Sequence, residues 1–307
     1  MSFILGVDTG GTYTDAVLLE DEERIIAFSK TLTTHSDLSL GIGSAIQKAV
    51  KQSNTAPEKI SLVSLSTTLA TNALVEGQGD RVALVMIGFQ DSDLEKHSIF
   101  DALKGDPFLV IEGGHNYAGF EKNPLEKNKL SRWISEIKCV SAYAVCSQFA
   151  VRNPEHELEA AEIIRKLTDK PVSLSHQISA KLNGPKRALT AVLNARLIAL
   201  IDLLIVKAEH VIKSLGILAP LMVVRGDGAL ISAAQAREKP IETILSGPAA
   251  SIVGARWLTG ETEAIISDIG GTTTDIAVLK GGKPAIDPRG ASVGPYRTMV
   301  EAVAMYT

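Results

Sequence analysis

Two eight-residue segments of the chain share residue types that suit phosphate and magnesium binding. The first is DTGGTYTD, from Asp8 to Asp15, and the second is DIGGTTTD, from Asp268 to Asp275. The two segments agree at six of their eight positions. An apolar run precedes and follows each of them, which predicts a tight turn between two strands. Two matched copies in the same context favour one paired site over two unrelated turns.

Each residue type in these loops has a chemical reason to be there. Paired glycines allow a tight turn and bring backbone N–H groups close to an anion. Threonine hydroxyls add donors without adding charge. An aspartate repels phosphate, but it becomes useful when Mg²⁺ lies between the two, often through water. We therefore predict catalytic and metal-binding roles for Asp8 and Asp268, and phosphate contacts for Thr9, Gly10, Gly11, Thr12, Thr14, Gly270, Gly271, Thr272 and Thr273.

Two other interpretations of the loops remain open. Each loop is also compatible with an ordinary β-turn capped by its aspartate. In addition, Asp-Thr-Gly at 8–10 and Asp-Ile-Gly at 268–270 resemble the paired aspartates of an aspartic protease, which share a proton when they lie close together. That protease fold is nearly all β-sheet, whereas residues 189–215 here are predicted to form a long, largely apolar helix. The phosphate interpretation is therefore favoured.

The segments between the loops predict alternating strands and helices. Strands are expected at 3–7 and 15–19 around the first loop, and at 264–267 before the second. The spacing of apolar residues over 38–52 predicts an amphipathic helix. The helix over 189–215 is apolar around most of its circumference, so we expect it to be buried between layers. The pattern predicts a mixed α/β fold.

A smaller group of residues could contact a substrate. Thr67, Thr68 and Asn72 follow a predicted strand at the start of a helix, where side chains can line a cleft. Their alternative role is to cap that helix. Asp227 follows another predicted strand between two glycines, and it either faces the cleft or holds the turn. We predict substrate contacts for these four residues.

Composition excludes several classes of protein. The 307 residues carry a net charge of −4, with 45% hydrophobic and 21% charged residues, which is typical of a globular protein with two domains. No dense run of Lys and Arg suggests nucleic-acid binding. Cys139 and Cys146 are predicted to be free thiols in a reducing compartment. No basic leader precedes the first strand, and charges interrupt the most apolar stretch, so we expect a cytoplasmic protein without a membrane span.

Further motifs resemble one known family. They are GVDTGGT at 6–12, STTLATNAL at 66–74, LNA at 193–195, LSGPAA at 245–250 and DIGGT at 268–272. Together they resemble the hydantoinase A/5-oxoprolinase family of the actin-like ATPase superfamily. The resemblance implies two actin-like (ribonuclease H-like) lobes with mixed sheets and a central cleft. It also divides the chain into an N-terminal family region, 1–175, and an ATPase-like region, 176–307.

The resemblance implies a reaction, its cofactors and a partner. Family members use ATP and Mg²⁺ to open cyclic amides such as hydantoins and 5-oxoproline, or to activate ketones for carboxylation. The implied intermediate is an amide phosphorylated on oxygen, whose carbon water then attacks. Two alternatives stay open: a small-molecule kinase of the same superfamily, and an ATP-binding subunit that is active only with a second subunit of the hydantoinase B type. An oligomer is compatible with either.

The sequence departs from the family pattern at two places. Arg225-Gly226-Asp227-Gly228 stands where the family tends to show Ser-Asn-Gly-Gly, so a substrate contact there does not carry over directly. The sequence ends at Thr307, whereas family members continue into a Gly-rich segment that holds the adenosine. We therefore expect this chain to supply the phosphate contacts and the adenosine contacts to lie elsewhere.

Overall fold

The computed structural model describes residues 2–270 and 274–306, and the chain forms two compact units. Unit 1 comprises Met1–Asn72, Ile201–Pro288 and Glu301–Thr307, and unit 2 comprises Ala73–Leu200 and Arg289–Val300. Each unit is assembled from segments that are not contiguous in sequence. The division into sequence regions 1–175 and 176–307 stays a prediction.

Strands and helices alternate along the described residues, as the sequence pattern predicts. The strands are β1 (Phe3–Thr9), β2 (Tyr13–Glu20), β3 (Arg24–Leu32), β4 (Ile60–Thr67), β5 (Val82–Ile87), β6 (Phe108–Ile111), β7 (Ala142–Ser147), β8 (Val172–Leu174), β9 (Leu221–Val224), β10 (Leu230–Ser232), β11 (Ala264–Ile269), β12 (Thr274–Lys280), β13 (Lys283–Pro284), β14 (Ser292–Val293), β15 (Tyr296–Arg297) and β16 (Met305–Tyr306). The α-helices are α1 (Leu38–Ser53), α2 (Leu69–Val75), α3 (Ile99–Leu103), α4 (Lys127–Glu136), α5 (Glu155–Thr168), α6 (Ser175–Ile178), α7 (Gly184–Ser214), α8 (Ala233–Glu238) and α9 (Ser246–Thr259), and 3-10 helices span Pro57–Lys59, Asp91–Ser98 and Pro240–Thr243.

A six-stranded mixed sheet forms the larger layer of unit 1. Its strand order is β10-β9-β4-β1-β2-β3, with β1 antiparallel to β2 and parallel to β4. Alternate residues of β1, namely Phe3, Leu5 and Val7, are buried, which is the period-2 pattern of a strand with one covered face. Helix α1 packs against β1, β2 and β3 and covers part of the sheet. The mixed sheet confirms the predicted mixed α/β fold.

Helix α1 follows the pattern of apolar residues in its sequence. Asp37 is its N-cap and accepts a hydrogen bond from the backbone N–H of Ser39 at 3.1 Å. Ile42, Ala45, Ile46 and Ala49 are buried, at the i, i+3, i+4, i+7 spacing of a helix with one apolar face. This face anchors the helix on the sheet.

A smaller sheet in unit 1 carries the second loop. Its strands β11, β12 and β13 follow in that order, and β16 also pairs with β12. Helix α9 contacts β11 and β12 of this sheet and also β4 and β9 of the six-stranded sheet. The small core beneath α9 consists of Ala249, Ile252, Ala277, Leu279 and Val303. Helix α9 therefore links the two sheets that carry the two loops.

Unit 2 contains a parallel sheet with the order β6-β5-β7-β8. All six residues of β5 and all six of β7 are buried, as expected for central strands of a parallel sheet covered on both faces. Helix α5 packs against β7 and β8, and α4 packs against β6 and α5. This sheet forms the core of unit 2.

Helix α7 is the longest element and begins earlier than the sequence predicts. The expected start is Leu189, whereas the helix runs from Gly184 to Ser214. It is the one helix among the described residues that is long and apolar enough to cross a membrane, but 67% of its most apolar window is buried within the protein. A buried core helix has the same length and composition, so this is weak evidence for a membrane segment.

Candidate functional site

The first loop connects two antiparallel strands through three residues. Strand β1 ends at Thr9 and β2 begins at Tyr13, with Asp8 paired to Asp15 across the ladder. The Gly10 amide donates to the Tyr13 carbonyl at 3.0 Å and closes the turn. A Cβ built on Gly11 would meet no atom within 4 Å, so this side of the loop is open. The predicted strand–turn–strand arrangement is confirmed.

The second loop repeats this register. Strand β11 ends at Ile269 and β12 begins at Thr274, and Asp268 is paired to Asp275. The repeated sequence is thus matched by a repeated pairing of the two aspartates. Three predicted phosphate contacts, Gly271, Thr272 and Thr273, lie outside the described residues.

Both loops line one pocket of about 450 Å³ within unit 1. Asp8 and Asp15 come from the first loop, and Asp268 and Asp275 from the second. The one lysine or arginine among the described lining residues is Lys30. The other lining residues are Gly10, Gly11, Thr12, Tyr13, Thr68, Asn72, Gly247, Pro248, Ser251, Ile269 and Gly270. Four carboxylates with one ammonium leave the pocket with an excess of negative charge.

Asp8 is the carboxylate most affected by this environment. Burial is the main cause that raises the pKa of Asp8 above its ordinary value of 3.8. The hydroxyl of Ser66 donates a hydrogen bond to the Asp8 carboxylate and acts in the opposite direction. The negative charges of Asp15 and Asp268 raise the pKa further. Asp8 would thus be stabilised by any cation that entered the pocket.

The other carboxylates have their own partners. The Ser251 hydroxyl donates to Oδ2 of Asp268 at 2.6 Å. The Lys30 ammonium donates to Oδ2 of Asp15 at 3.2 Å and lies 4.8 Å from the centroid of the Tyr13 ring. Lys30 is the register partner of Asp15 on β3. Asp8 and Asp268, the two leading aspartates, therefore each accept a hydrogen bond from one serine.

The first turn of α9 forms another wall of the pocket. A Cβ built on Gly247 would lie 3.9 Å from Oδ1 of Asp8 and 3.5 Å from Cγ2 of Thr68. Gly247 and Ser251 are four residues apart and so lie on one face of the helix. The N-terminal end of a helix carries a partial positive charge and unpaired amides, which attract anions. This end of α9 thus offsets some of the negative charge of the pocket.

Two predicted phosphate contacts do not line the pocket. Thr9 is 1% exposed, and its hydroxyl has no hydrogen-bond partner in the described residues. Thr14 is fully buried, and its hydroxyl lies 3.1 Å from the hydroxyl of Thr33. Both threonines point into the protein because they alternate with the pocket-lining aspartates along their strands. Gly10, Gly11, Thr12 and Gly270 do line the pocket.

Of the four predicted substrate residues, two line the pocket and two do not. Thr68 and Asn72 line the pocket, and the Asn72 amide donates to the Thr68 hydroxyl at 3.3 Å. Thr67 is buried, and its hydroxyl accepts from the Leu69 amide at 3.1 Å, which is the alternative capping role. Asp227 does not line the pocket.

The Asp227 carboxylate stabilises its own turn. It accepts from Arg225 at 2.9 Å and from the Ala229 amide at 3.0 Å. A role for Asp227 in substrate binding stays a prediction.

Several contributors to the site were not predicted from the sequence, among them two residues of neighbouring strands and two of α9. Lys30 and Ser66 reach the loop aspartates from neighbouring strands, and Gly247 and Ser251 reach the pocket from α9. The i, i+4 spacing of Gly247 and Ser251 is a signal that could have been noticed. The positions of Lys30 and Ser66 depend on strand register, which the sequence pattern alone does not specify.

The donor set fits a hard cation held partly through water. Carboxylate and hydroxyl oxygens are the ligands that Mg²⁺ prefers, and it usually retains several waters beside one or two carboxylates and substrate phosphates. Among residues 2–270 and 274–306, no three His, Cys, Asp or Glu side chains cluster closely enough to form a direct metal cage. Asp8 and Asp268, with their unbalanced charge, therefore suit the water-mediated arrangement.

Two family profiles match the chain. One, described as the hydantoinase/oxoprolinase N-terminal region, matches residues 4–168, and the other, described as hydantoinase/oxoprolinase, matches residues 187–307. The chain is 28% identical to caprolactamase subunit alpha of Pseudomonas jessenii, over 91% of this chain and 44% of that protein. It is 26% identical to the acetophenone carboxylase gamma subunit of Aromatoleum aromaticum, over 90% and 42%. It is 25% identical to 5-oxoprolinase 1 of Arabidopsis thaliana, over 90% and 25%.

Solved structures show the same fold. The nucleotide-free acetone carboxylase structure matches with a TM-score of 0.85 and 19% identity, over 99% of this chain and 47% of that one. The ATP-dependent caprolactamase of Pseudomonas jessenii matches with a TM-score of 0.83 and 26% identity, over the same shares. These likenesses confirm the predicted actin-like α/β fold class. The chain spans less than half the length of the curated relatives described above.

Proposed function

Because the chain belongs to the hydantoinase/oxoprolinase family, we propose that its unit 1 pocket binds the polyphosphate of Mg²⁺-ATP for the opening of a cyclic amide. The observation that carries the proposal is the placement of Asp8 and Asp268, from two matched loops, in one pocket of about 450 Å³. The names of the relatives, 5-oxoprolinase and caprolactamase, indicate the class of substrate.

The walls of the pocket offer donors for phosphate oxygens. In the part of the chain that the structure describes, the backbone amides of Gly11 and Thr12 have no hydrogen-bond partner within the protein. The first turn of α9 adds its partial positive charge, and Lys30 adds a full one. These groups line the same pocket as the carboxylates, so a phosphate chain and a cation can be accommodated together.

The chain's own residues would bind and orient the reactants. Ser66 and Ser251 fix the carboxylates of Asp8 and Asp268, which would hold Mg²⁺ through water. Bound Mg²⁺ would offset the negative charge of the phosphates during phosphoryl transfer. The amides of the first loop would keep the γ-phosphate in a fixed orientation, and such preorganisation lowers the barrier.

Phosphorylation explains why an amide hydrolase would use ATP. An amide carbonyl is a poor electrophile because its nitrogen lone pair is delocalised. Transfer of the γ-phosphoryl group to the amide oxygen removes that protection and makes the carbon electrophilic. Addition of water to the carbon and cleavage of the C–N bond then open the ring, with the nitrogen leaving as an amine and the carbon left as an acyl phosphate. A second water hydrolyses the acyl phosphate to a carboxylate and inorganic phosphate. Thr68 and Asn72, which line the pocket, are the proposed contacts for the cyclic amide.

We also propose that the protein acts together with a second chain and that it is located in the cytoplasm. Two of the relatives are named as subunits of larger enzymes, caprolactamase and acetophenone carboxylase. A subunit of the hydantoinase B type would complete the reaction after phosphorylation. The likeness to a carboxylase gamma subunit also supports an alternative, in which ATP activates a ketone for carboxylation.

Nucleotide turnover with candidate substrates tests the proposal. The natural full-length protein, with and without a co-purified partner subunit, is incubated with Mg²⁺-ATP and either hydantoin, 5-oxoproline, caprolactam or acetophenone plus bicarbonate. Ring opening coupled to ADP release supports cyclic-amide hydrolysis, and carboxylation supports the alternative. Asp8→Ala and Asp268→Ala should each abolish turnover. Normal ATP hydrolysis by both variants would show that the pocket is not the nucleotide site, and a stable phosphorylated product would indicate a kinase.

A further inference from the structure

Two buried histidines lie together in unit 2. His115 belongs to the loop 113–122, which follows β6, and His156 lies in the first turn of α5. The two residues are 0% and 3% exposed, and their ring centroids are 4.5 Å apart. The loop supplies none of the described lining residues of the phosphate pocket, and the proposed ATP chemistry assigns it no role.

The imidazole of His115 lacks hydrogen-bond partners. Neither Nδ1 nor Nε2 has one among the residues that the structure describes. A neutral imidazole at this position leaves one N–H unpaired, and a protonated imidazole would leave two. An unpaired polar group away from water is unfavourable, and an unpaired charge is much more so. The surroundings of His115 therefore accept the neutral ring far better than the charged one.

The charged groups that act on His115 come from its own loop and from α5. Burial is the main cause that lowers the pKa of His115 below 6.5, and the charge of His156 acts in the same direction. The carboxylates of Glu155 and Glu121 act in the opposite direction, but burial outweighs them. The ring of His115 is therefore neutral at neutral pH.

His156 holds the loop closed through both of its ring nitrogens. The Gly114 amide donates to Nδ1 at 2.8 Å, so this nitrogen carries a lone pair and the hydrogen of the neutral ring is on Nε2. Nε2 lies 3.0 Å from Oε1 of Glu121 and can donate to it. These two bonds attach the beginning and the end of the loop to α5.

The base of the loop packs closely against its neighbours. A Cβ built on Gly113 would lie 2.6 Å from Cγ2 of Ile87, the last residue of β5, and 3.2 Å from Nδ1 of His156. The His115 amide donates to the carbonyl of Gln148, which follows β7, at 3.1 Å. The closed loop thus depends on His115 remaining in its buried position.

The tip of the loop is held by its own hydrogen bonds and is open to solvent. Oδ1 of Asn116 accepts from the amides of Ala118 and Phe120 at 2.9 and 3.1 Å. The side chains of Tyr117 and Phe120 are 79% and 72% exposed. The tip can therefore move as one piece without exposing much buried apolar surface, which keeps the free energy of local opening low.

From these contacts we propose that His115 is a pH-sensitive switch that opens the loop 113–122 in acid. While the ring is neutral, it stays buried and His156 holds the loop closed. A protonated ring moves from its unpaired position into water, and the loop opens with it. Opening breaks the bond between the His115 amide and Gln148, a residue that lines a pocket of about 540 Å³ in unit 2, so this wall of the pocket changes with the loop.

Hydrogen exchange of the full chain tests the proposal. In the open loop His115 has an ordinary pKa of 6.5, whereas the closed loop keeps its pKa lower. The closed form is therefore favoured above 6.5 and loses stability as pH falls toward the lower value. The protection factors of the Gly114, His115 and Lys122 amides should fall severalfold, and by up to about tenfold, between about pH 7.5 and about pH 5.5.

The amides of β7 serve as the internal reference for this measurement. They belong to a fully buried central strand, so their protection factors should stay the same over the same pH interval. The measurement is made without nucleotide or Mg²⁺, so its outcome does not depend on the proposed function. Equal protection of the loop amides at both pH values, after correction for intrinsic exchange, would overturn the proposal.

Proton NMR of the wild-type chain measures the switch directly. The Cε1–H signal of His115 should titrate with a pKa below 6.5, and the amide signals of the loop should change over the same pH range. This measurement needs no variant to fold. A pKa of 6.5 or higher for His115 would show that burial does not disfavour its charged form and would refute the switch.

A matched pair of variants assigns the pH response to His115. His115→Met removes the titrating ring, and methionine adapts its shape to a buried position. The protection of its loop should differ by less than about twofold between the two pH values. His210→Met, an exposed control on α7, should respond to pH as the wild-type chain does. A full pH response in His115→Met would mean that another group controls the loop.

Discussion

The Ser66 hydroxyl donates a hydrogen bond to the Asp8 carboxylate across two parallel strands that pair these residues in register. The same relationship recurs on the second loop, where Ser251 of α9 donates to Asp268 at 2.6 Å. Each serine holds one oxygen of its aspartate and thereby limits rotation of the carboxylate. The other oxygen keeps its capacity to accept from metal-bound water. The two loops are thus alike in their supporting hydrogen bonds as well as in sequence.

Replacement of Ser66 should raise the pKa of Asp8 and weaken Mg²⁺ binding at the site. The hydrogen bond lowers the pKa of Asp8, so Ser66→Ala should raise that pKa further. Without this bond the Asp8 carboxylate is free to rotate, so Mg²⁺ affinity should fall as well. Carboxyl-carbon NMR titration and calorimetry measure the two effects. Ser64→Ala, on the same strand, is the control, and an unchanged Asp8 pKa in Ser66→Ala would contradict the role of the bond.

The raised pKa of Asp8 predicts a pH-dependent effect on stability. Between its ordinary value of 3.8 and its higher value in the folded protein, the folded state holds more protons than the unfolded state. The contribution of Asp8 to the free energy of unfolding therefore falls as pH rises through that window. Asparagine does not titrate, so Asp8→Asn does not lose stability in this way. Its free energy of unfolding should therefore rise above that of the wild-type chain as pH rises. Urea unfolding without Mg²⁺, at several pH values, measures the difference.

Asp37 is a control for Asp8 because its pKa is shifted in the opposite direction. Hydrogen bonds from Lys207 and then Ser39 lower the pKa of Asp37. Its contribution to stability is present above its unfolded pKa and is lost as pH falls through the folded value. Asp37→Asn should therefore be less stable than the wild-type chain at neutral pH, with a difference that shrinks in acid. If both variants changed stability in the same direction with pH, the assignment for Asp8 would be wrong.

Gly11 offers a test of phosphate binding that leaves the fold intact. A Cβ at this position meets no protein atom within 4 Å, so Gly11→Ala should change stability by less than about 0.5 kcal/mol. The methyl group would occupy space that a phosphate needs, and ATP affinity should fall at least about tenfold. Fluorescent-nucleotide titration measures the affinity. Equal ATP affinity in wild-type protein and Gly11→Ala would show that the loop does not approach the phosphates.

Gly254 is the matched control for Gly11. It lies within α9 and has equally open surroundings, since its Cβ would also meet no atom within 4 Å. Gly254→Ala should stabilise the protein by roughly 0.5–1 kcal/mol through helix propensity and leave ATP affinity unchanged. Thermal unfolding and the same titration measure both quantities. A loss of ATP affinity in this variant would mean that glycine substitutions in unit 1 act indirectly.

The parts of the fold that depend on local sequence were predictable. The two loops carry their own turn residues between apolar runs, and both form the expected strand–turn–strand. The capping alternative for Thr67 also rests on local sequence and is observed. The start of α7 was predicted too late because apolar residues begin at Ala188. The side chain of Asn183 caps α7 on the N-terminal side of those apolar residues. A capping residue is polar, so the spacing of apolar residues does not reveal it.

The parts of the site that depend on distant segments were not predictable from the pattern. Ser66 reaches Asp8 because β4 lies beside β1, and several arrangements of these strands would satisfy the same apolar alternation. Ser251 reaches Asp268 because α9 packs against β11. Asp227 is the opposite case. Its flanking glycines are compatible with a position in the cleft, but Arg225 donates a hydrogen bond to it within its own turn.

A buried ion pair in unit 2 should be essential for stability. Arg196 donates to Oδ2 of Asp106 at 2.7 Å, and both side chains are buried. Asp106→Ala would leave a buried guanidinium without its carboxylate, which typically costs about 3–5 kcal/mol. The exposed pair of Lys127 and Glu159 is the control, and Glu159→Ala should cost less than about 1 kcal/mol. Similar urea midpoints for the two variants would contradict this assignment.

The two cysteines should differ sharply in reactivity. Cys139 is exposed, whereas Cys146 is buried in β7, and burial together with the charge of Glu157 raises the pKa of Cys146 to about 12. The thiolate is the reactive form, so iodoacetamide at pH 8 should modify Cys139 and leave Cys146 unmodified. Mass spectrometry should show one adduct on the native protein and two in urea. Cys139→Ser should show none until it is unfolded, and rapid modification of that native variant would mean that the sheet of unit 2 opens far more readily than its buried strands indicate.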